Sequence, residues 1–133
     1  MQTFLPYADF HKTAESLDYR RLGKQRVEAF QIWSILTGKS QSKAWSNHPA
    51  VKMWRGYEDA LQQYLRIIML EWIRRGYKNN MIIPPEKLYT VPNWLGNENF
   101  HASHRSNLKR KNSMHYNDFI ESIDMPYIWP LSI

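Results

Sequence analysis

The stretch HPAVKMWRGYEDALQQYLRIIMLEWIRRGY, residues 48–77, decides the fold of this protein. Its large apolar residues recur at the spacing of one helix face, at Val51, Trp54, Leu61, Leu65, Ile68 and Trp72. Pro49 suits the first turn of a helix, and Gly76 suits the position just after its end. The pattern therefore predicts a helix from Pro49 to Arg75 that forms the spine of the hydrophobic core.

Two further segments are predicted to be helical. One runs from Leu17 or earlier to Leu36. A break or bend is expected at Gly23, because glycine inside a helix costs about 1 kcal/mol relative to alanine. The other begins near Asn97 and includes FHASHRSNLKRK, residues 100–111.

The rest of the chain lacks this periodicity. Residues 77–97 contain three prolines and are predicted to form a loop. The tail DMPYIWPLSI, residues 124–133, is predicted to be extended and to pack its aromatic rings onto the helices. The fold class is therefore all-α: a compact single domain over residues 1–133, a helical bundle of about three main helices with an aromatic-rich extended C-terminal tail.

The composition limits the classes of function that this protein can have. Lys and Arg outnumber Asp and Glu by 18 to 12, which gives a net charge of +6, and aromatic residues make up 14% of the chain. Such a protein suits a partner that carries phosphates and flat bases. The absence of cysteine excludes disulfides and thiolate chemistry, and the five histidines lack the spacing of a metal motif, so we expect no metal. No apolar run approaches the length of a membrane span, which favours an intracellular, cytoplasmic protein.

The densest basic cluster carries Arg20, Arg21, Lys24 and Arg26 within LDYRRLGKQRVEAF, residues 17–30. Arg20 and Lys24 are four residues apart, a spacing at which like charges on a helix repel each other. Phosphate oxygens would supply the missing countercharge, and arginine binds them through a bidentate fork. Phosphate binding is one interpretation of the cluster, and an ordinary solvated helix face is the other.

A second polar cluster, His101, His104, Arg105, Asn107 and Lys109, lies in the predicted third helix. It combines cations with short hydrogen-bonding groups, as in a groove that holds a sugar–phosphate backbone in register. Alternatively, the basic residues near the end of this helix complement its dipole. If both clusters bind the same polyanion, they form two walls of one cleft.

The start of the long helix offers further candidates. His48 and Arg55 flank Trp54, which suits a stacking platform beside the phosphate-binding residues. The alternative is that His48 caps the helix and that Trp54 belongs to the core.

Four strings, QTFLPY, RRLGKQRVEA, HPAVKMWRGYE and SHRSNLKRK, resemble a small bacterial and viral subgroup of the pyrimidine-dimer DNA glycosylase family, the endonuclease V-type DNA repair enzymes. The resemblance covers most of the chain in the same order. It implies a compact all-α DNA repair protein that needs no cofactor. Its partner would be duplex DNA containing a damaged or modified base, with no membrane and no obligate protein partner, and we expect a monomer.

The resemblance also implies a reaction. In this family the N-terminal α-amine attacks the sugar of the damaged nucleotide, forms a Schiff base and then eliminates the 3′ phosphate. An α-amine has a pKa of about 7.7–8.0, so a sizeable fraction is a neutral nucleophile near neutral pH.

Carried onto this sequence, the resemblance assigns the amine to Met1, because the glutamine that follows is too bulky for the usual removal of the initiator methionine. Arg21 stands where the family has its catalytic glutamate, and a cation cannot stabilise a positively charged sugar. The catalytic carboxylate is then Asp18, one helical turn earlier, or Glu28, about two turns later. Lys24 is an alternative source of the Schiff base.

The sequence therefore predicts a DNA glycosylase, with or without abasic-site lyase activity, whose lesion by resemblance is a pyrimidine dimer. A monofunctional glycosylase with a carboxylate-activated water and a non-catalytic DNA-binding module are the alternatives. A metal-dependent nuclease is disfavoured because the acidic residues are scattered. The expected setting is the nucleoid or a viral infection.

Overall fold

The computed structural model describes residues 1–40 and 44–130. This part of the chain contains five α-helices, in chain order α1 (Phe10–Ser16), α2 (Tyr19–Leu36), α3 (Pro49–Lys52), α4 (Glu58–Arg74) and α5 (Glu98–Lys111). No β-strand occurs within these ranges, so the predicted all-α class is confirmed. The last three residues of the predicted tail lie outside the described residues.

The long apolar stretch forms two helices rather than one. α3 ends at Lys52, and α4 begins at Glu58. Gly56 lies between them with a φ of 87°, a left-handed conformation that glycine adopts without strain. The prediction of one helix from Pro49 to Arg75 is therefore wrong in its first part, where the chain turns at Gly56.

α2 and α4 pack against each other at the centre of the molecule. α2 is one helix through Gly23, so the predicted helix break is absent. A Cβ atom at position 23 would lie 3.0 Å from the ring of Trp72 on α4, so glycine permits this close approach. The core around the pair includes the fully buried residues Leu22, Ala29, Ile32, Leu61, Leu65 and Ile68.

α5 fixes the C-terminal segment through its polar side chains. Asn97 caps the helix, so the predicted helix start is confirmed. The amide of Asn107 donates to the carbonyl of Met125 at 3.0 Å, and the ammonium of Lys109 donates to the carbonyl of Phe119 at 2.6 Å. These hydrogen bonds, rather than a regular sheet or helix, hold the residues after α5 in place.

α5 also holds the N-terminal segment. The N–H of Leu5 donates to Nδ1 of His104 at 2.9 Å, and Nδ1 of His101 donates to the carbonyl of Leu5 at 2.7 Å. Arg105 donates to the carbonyl of Pro6 at 2.7 Å and forms ion pairs with two glutamates. One helix thus binds both the N-terminal segment and the described residues that follow it in the chain.

The placement of the second polar cluster argues against the predicted DNA-binding groove. His101, His104 and Asn107 are at most 3% exposed. Arg105 and Lys109 direct their charges to carboxylates and carbonyls of the same chain. Since these groups are already bonded within the protein, their role is to hold the fold together.

The burial of His104 predicts a loss of stability in acid. Burial lowers the pKa of His104 from 6.5 to about 3. Between these values the unfolded chain binds a proton that the folded chain does not, so the free energy of unfolding falls as the pH falls. We expect this group to cost about 1.4 kcal/mol per pH unit between about pH 6 and pH 4.

Urea denaturation of the wild type and of His104→Gln across this pH range measures the effect. The glutamine amide oxygen can still accept the N–H of Leu5, but the side chain does not titrate. The variant should lose stability less steeply with falling pH. Equal slopes for the two proteins would contradict the assignment.

Candidate functional site

The first residues of the chain lie across α2 and α4 and are held there by buried side chains. The amide of Gln25 on α2 donates to the carbonyl of Gln2 at 2.9 Å and accepts the N–H of Phe4 at 3.0 Å. The hydroxyl of Tyr64 on α4 lies 2.8 Å from both the carbonyl oxygen of Phe4 and the amide oxygen of Gln25. Because Gln25 and Tyr64 are fully buried, these bonds fix the backbone of Gln2 and Phe4, next to Met1.

Met1 reaches a cavity of about 680 Å³ beside α2. The lining residues come from the N-terminal segment, α2, the start of α3, the end of α5 and the tail: Met1, Gln2, Phe4, Arg20, Arg21, Lys24, Glu28, His48, Lys111, Tyr127 and Trp129. Six of the predicted site residues are among them: Met1, Arg20, Arg21, Lys24, Glu28 and His48. The structure therefore brings the predicted amine, one predicted carboxylate and three cations of the first basic cluster into one place.

Glu28 is the carboxylate of this cavity. Its Oε2 accepts the N–H of Gln2 at 2.8 Å, which places the carboxylate within one residue of the Met1 amine. In the described ranges no other Asp or Glu lines the cavity. Glu28 can therefore stabilise a positive charge that develops on a ligand bound next to the amine.

His48 lines the same cavity as Met1. Its Nδ1 accepts the N–H of Ala50 at 3.0 Å, so its predicted role as a helix cap is confirmed and the ring proton is on Nε2. Partial burial lowers the pKa of His48, and the positive charge of the N-terminal amine lowers it further. At neutral pH the neutral imidazole therefore offers one hydrogen-bond donor, Nε2–H.

The cavity is cationic on its outer side. Arg20 and Lys24 are exposed, and Arg21 is held by the carboxylate of Asp18 at 3.2 Å. Lys111 joins them from the last position of α5. The two basic segments thus meet, but through Lys111 at the end of α5 rather than through the buried centre of that helix.

The opposite part of the lining is aromatic. The ring of Tyr127 lies 6.4 Å from that of Phe4 and 6.0 Å from that of Trp129, which in turn lies 6.0 Å from the ring of His48. Burial raises the pKa of Tyr127 to about 12, so its hydroxyl stays protonated. These flat faces can stack on a base.

Five lining residues were not predicted from the sequence: Gln2, Phe4, Lys111, Tyr127 and Trp129. The basic run at the end of α5 was a signal for Lys111. No local signal connects the tail rings with residues at the start of the chain, because the contact depends on how the tail packs.

Asp18 lies outside the cavity. Its side chain is buried, accepts the hydroxyl of Tyr116 at 2.5 Å and pairs with Arg21. Since both carboxylate oxygens are bound by protein groups, this placement argues against Asp18 as the catalytic carboxylate and favours Glu28.

Three other predicted residues do not line the cavity. Arg26 covers the ring of Trp72 at 4.5 Å, and Arg55 donates to the carbonyl of Ser46 at 2.9 Å. Trp54 is fully buried, so the core interpretation of this residue is confirmed and the stacking platform at this position is wrong.

Among the described residues, no group of three or more His, Cys, Asp or Glu side chains is arranged to hold a metal ion. Across the same ranges, every helix is too short or too polar to span a bilayer.

Comparison with known proteins gives a match for the N-terminal part of the chain. Residues 1–84 match a protein-family model described as pyrimidine dimer DNA glycosylase. This range includes α1 to α4 and therefore the cavity residues of α2, whereas α5 and the tail lie beyond it. Neither the curated proteins nor the solved structures gave a match.

The role of Gln25 predicts that Gln25→Leu strongly destabilises the protein. Leucine has a similar volume but leaves the N–H of Phe4 and the carbonyl of Gln2 without partners, at about 1–3 kcal/mol each. We expect a loss of about 2–5 kcal/mol in the free energy of unfolding, measured by urea denaturation. Gln31→Leu on the exposed side of α2 is the matched control and should change stability by less than about 0.5 kcal/mol. Similar losses in the two variants would show that Gln25 does not organise the N-terminus.

Proposed function

This chain belongs to the pyrimidine dimer DNA glycosylase family, and from that premise we propose that its cavity removes a damaged base from duplex DNA through an imine formed by the amine of Met1. One observation carries the proposal. The carboxylate of Glu28 is hydrogen-bonded to the residue next to that amine, in a cavity otherwise rich in cations.

The neutral amine would attack C1′ of the damaged nucleotide. As the N–C1′ bond forms, the glycosidic bond breaks and the base leaves with the bonding electron pair. The nitrogen passes a proton to the departing base, and cleavage of the C1′–O4′ bond, with O4′ taking up a proton, then gives the protonated imine. Loss of a proton from C2′ expels the 3′ phosphate, which is the abasic-site lyase step.

Glu28 contributes to this reaction in two ways. Its negative charge stabilises the cationic sugar as the base departs, as carboxylates do in glycoside hydrolysis. Its Oε2 also accepts the N–H of Gln2 at 2.8 Å, which holds the carboxylate against the segment that carries the amine, so proton transfers between the two groups would pass through the bound nucleotide or a water.

The remaining lining residues suit the phosphates and the base of a damaged nucleotide. Arg20, Arg21, Lys24 and Lys111 provide charges for the flanking phosphates. The rings of Phe4, Tyr127 and Trp129 provide stacking faces for a base that has left the helix, and an extruded base is what a glycosylase must reach.

Trapping with borohydride tests the nucleophile. The protein is incubated with a duplex containing one abasic site and sodium borohydride, and the adduct is located by intact and peptide mass spectrometry. We expect an adduct on the amine of Met1. An adduct on Lys24 would move the imine to that side chain, and salt-sensitive DNA binding without an adduct would support a monofunctional glycosylase or a non-catalytic DNA-binding module instead.

Glu28→Gln tests the carboxylate. Glutamine keeps an acceptor for the N–H of Gln2 but has no charge, so we expect base release to slow by about 10²–10⁴-fold while DNA binding is retained. Asp18→Asn is the matched control. Base release that falls more in Asp18→Asn than in Glu28→Gln, with both proteins folded, would assign the carboxylate to Asp18.

The cationic side of the cavity predicts a salt dependence of DNA binding. Each phosphate contact contributes about 0.9 to the slope of log K against log salt concentration. Lys24→Ala and Lys111→Ala should each lower the slope by up to about 0.9, measured by fluorescence anisotropy with a labelled duplex. Lys87→Ala is the control, because Lys87 lies 4.0 Å from Asp59 and does not line the cavity. An unchanged slope in the two cavity variants would exclude phosphate contacts by these lysines.

A further inference from the structure

A second aromatic and cationic surface lies on α2, α4 and the residues just after α4, outside the cavity. Its outer rings are those of Tyr19 and Tyr77, which are 53% and 40% exposed and 6.3 Å apart. Tyr77 stacks on Trp72 at 4.3 Å with an interplanar angle of 28°. We call Tyr19, Tyr77 and Trp72 the aromatic ladder.

Trp72, the inner ring of the ladder, is held in place by its neighbours. Trp72 lies against Gly23 of α2, where a Cβ atom would be 3.0 Å from its ring, and its Nε1 donates to the carbonyl of Lys78 at 3.0 Å. The guanidinium of Arg26 lies over the ring of Trp72, 4.5 Å from its centre, and donates to the side-chain oxygen of Asn79 at 2.7 Å. The exposed tyrosines are therefore supported by two helices and need little ordering when they bind a flat ligand.

The surroundings of the ladder are positively charged. The guanidinium of Arg20 lies 5.9 Å from the ring centre of Tyr19, and Arg26 makes no ion pair within the described ranges. Exposed rings beside unneutralised cations fit a ligand that combines flat apolar faces with negative charge. A chain of nucleotides has this combination.

The ladder also adjoins the cavity. Successive residues of a helix are 100° apart, so the cavity residues Arg20, Lys24 and Glu28 lie on the side of α2 next to the one that carries Tyr19 and Gly23. Arg20 belongs to both surfaces, because it lines the cavity and contacts Tyr19. The cavity and the ladder therefore adjoin each other at Arg20.

We propose that Tyr19 and Tyr77 form a second DNA subsite, which stacks an unpaired nucleobase of the strand adjoining the nucleotide in the cavity. This inference rests on the proposed function, because it takes the ligand of the cavity to be DNA. The subsite recognises the loss of base pairing next to a lesion rather than the lesion itself. Stacking accepts any base, so the selectivity is for an unpaired base and not for a sequence.

Equilibrium binding of Tyr19→Ala and Tyr19→Phe tests the subsite. The probe is a duplex with a tetrahydrofuran abasic analogue, which cannot form an imine, beside either an unpaired or a paired base. Tyr19→Ala should weaken binding to the unpaired probe about tenfold, and Tyr19→Phe, which keeps the ring, should bind within about twofold of the wild type. Tyr89→Ala is the matched control, because Tyr89 is 37% exposed, stacks on Phe10 and does not line the cavity.

Photocrosslinking gives a second readout that does not depend on a variant. With 5-iododeoxyuridine at the unpaired position, irradiation of the wild-type complex should attach the base to the peptide containing Tyr19 or the one containing Tyr77. Crosslinks elsewhere, or wild-type affinity of Tyr19→Ala for the unpaired probe, would overturn the proposal.

The outcomes separate this inference from the proposed function. A wild-type adduct at Met1 with no effect of Tyr19→Ala would retain the imine chemistry and exclude the stacking subsite. A ring-dependent loss of binding without any borohydride adduct would retain the subsite and exclude the imine chemistry.

Discussion

The hydrogen bonds of the Gln25 amide are the constraint on which the site depends. This one side chain bonds a carbonyl and an N–H of the N-terminal segment, and the hydroxyl of Tyr64 completes the arrangement from α4. A chain terminus is ordinarily poorly ordered because few bonds fix it. Here hydrogen bonds from side chains satisfy the backbone of residues 2, 4 and 5, so Met1 reaches the cavity that Glu28 lines without help from a regular secondary structure.

Burial separates two uses of basic residues in this protein. At the centre of α5 the cations are bonded to carboxylates and backbone carbonyls, and they fasten both chain ends to the helix. Along the cavity side of α2 the cations are exposed or partly exposed and have few internal partners, which leaves them free for phosphates. Both groups are similar in sequence, since each combines Lys and Arg at helical spacing. Only the packing of the ends of the chain against α5 distinguishes them.

The choice between the two acidic residues has the same origin. Asp18 and Glu28 both flank the basic cluster, and their spacing along the chain left the catalytic carboxylate open. Tyr116 is 98 residues from Asp18 in sequence. Its hydroxyl donates a hydrogen bond to the Asp18 carboxylate at 2.5 Å, so that oxygen already has a partner within the protein. Glu28 instead accepts an N–H from the segment that carries the amine. The different surroundings of the two carboxylates are thus set by contacts with residues far from them in sequence.

The sequence by itself determined the all-α class, the three longer helical segments and the basic character of α2, because helical periodicity and charge spacing are local properties. The same local reasoning missed the turn at Gly56 and expected a break at Gly23, since a glycine can end a helix or allow close packing, and only its neighbours decide which. The tertiary structure alone decided that His101, His104 and Asn107 are buried supports and that Tyr127 and Trp129 line the cavity. The physical reason is that burial and hydrogen-bond satisfaction depend on contacts between distant parts of the chain, which no local pattern contains.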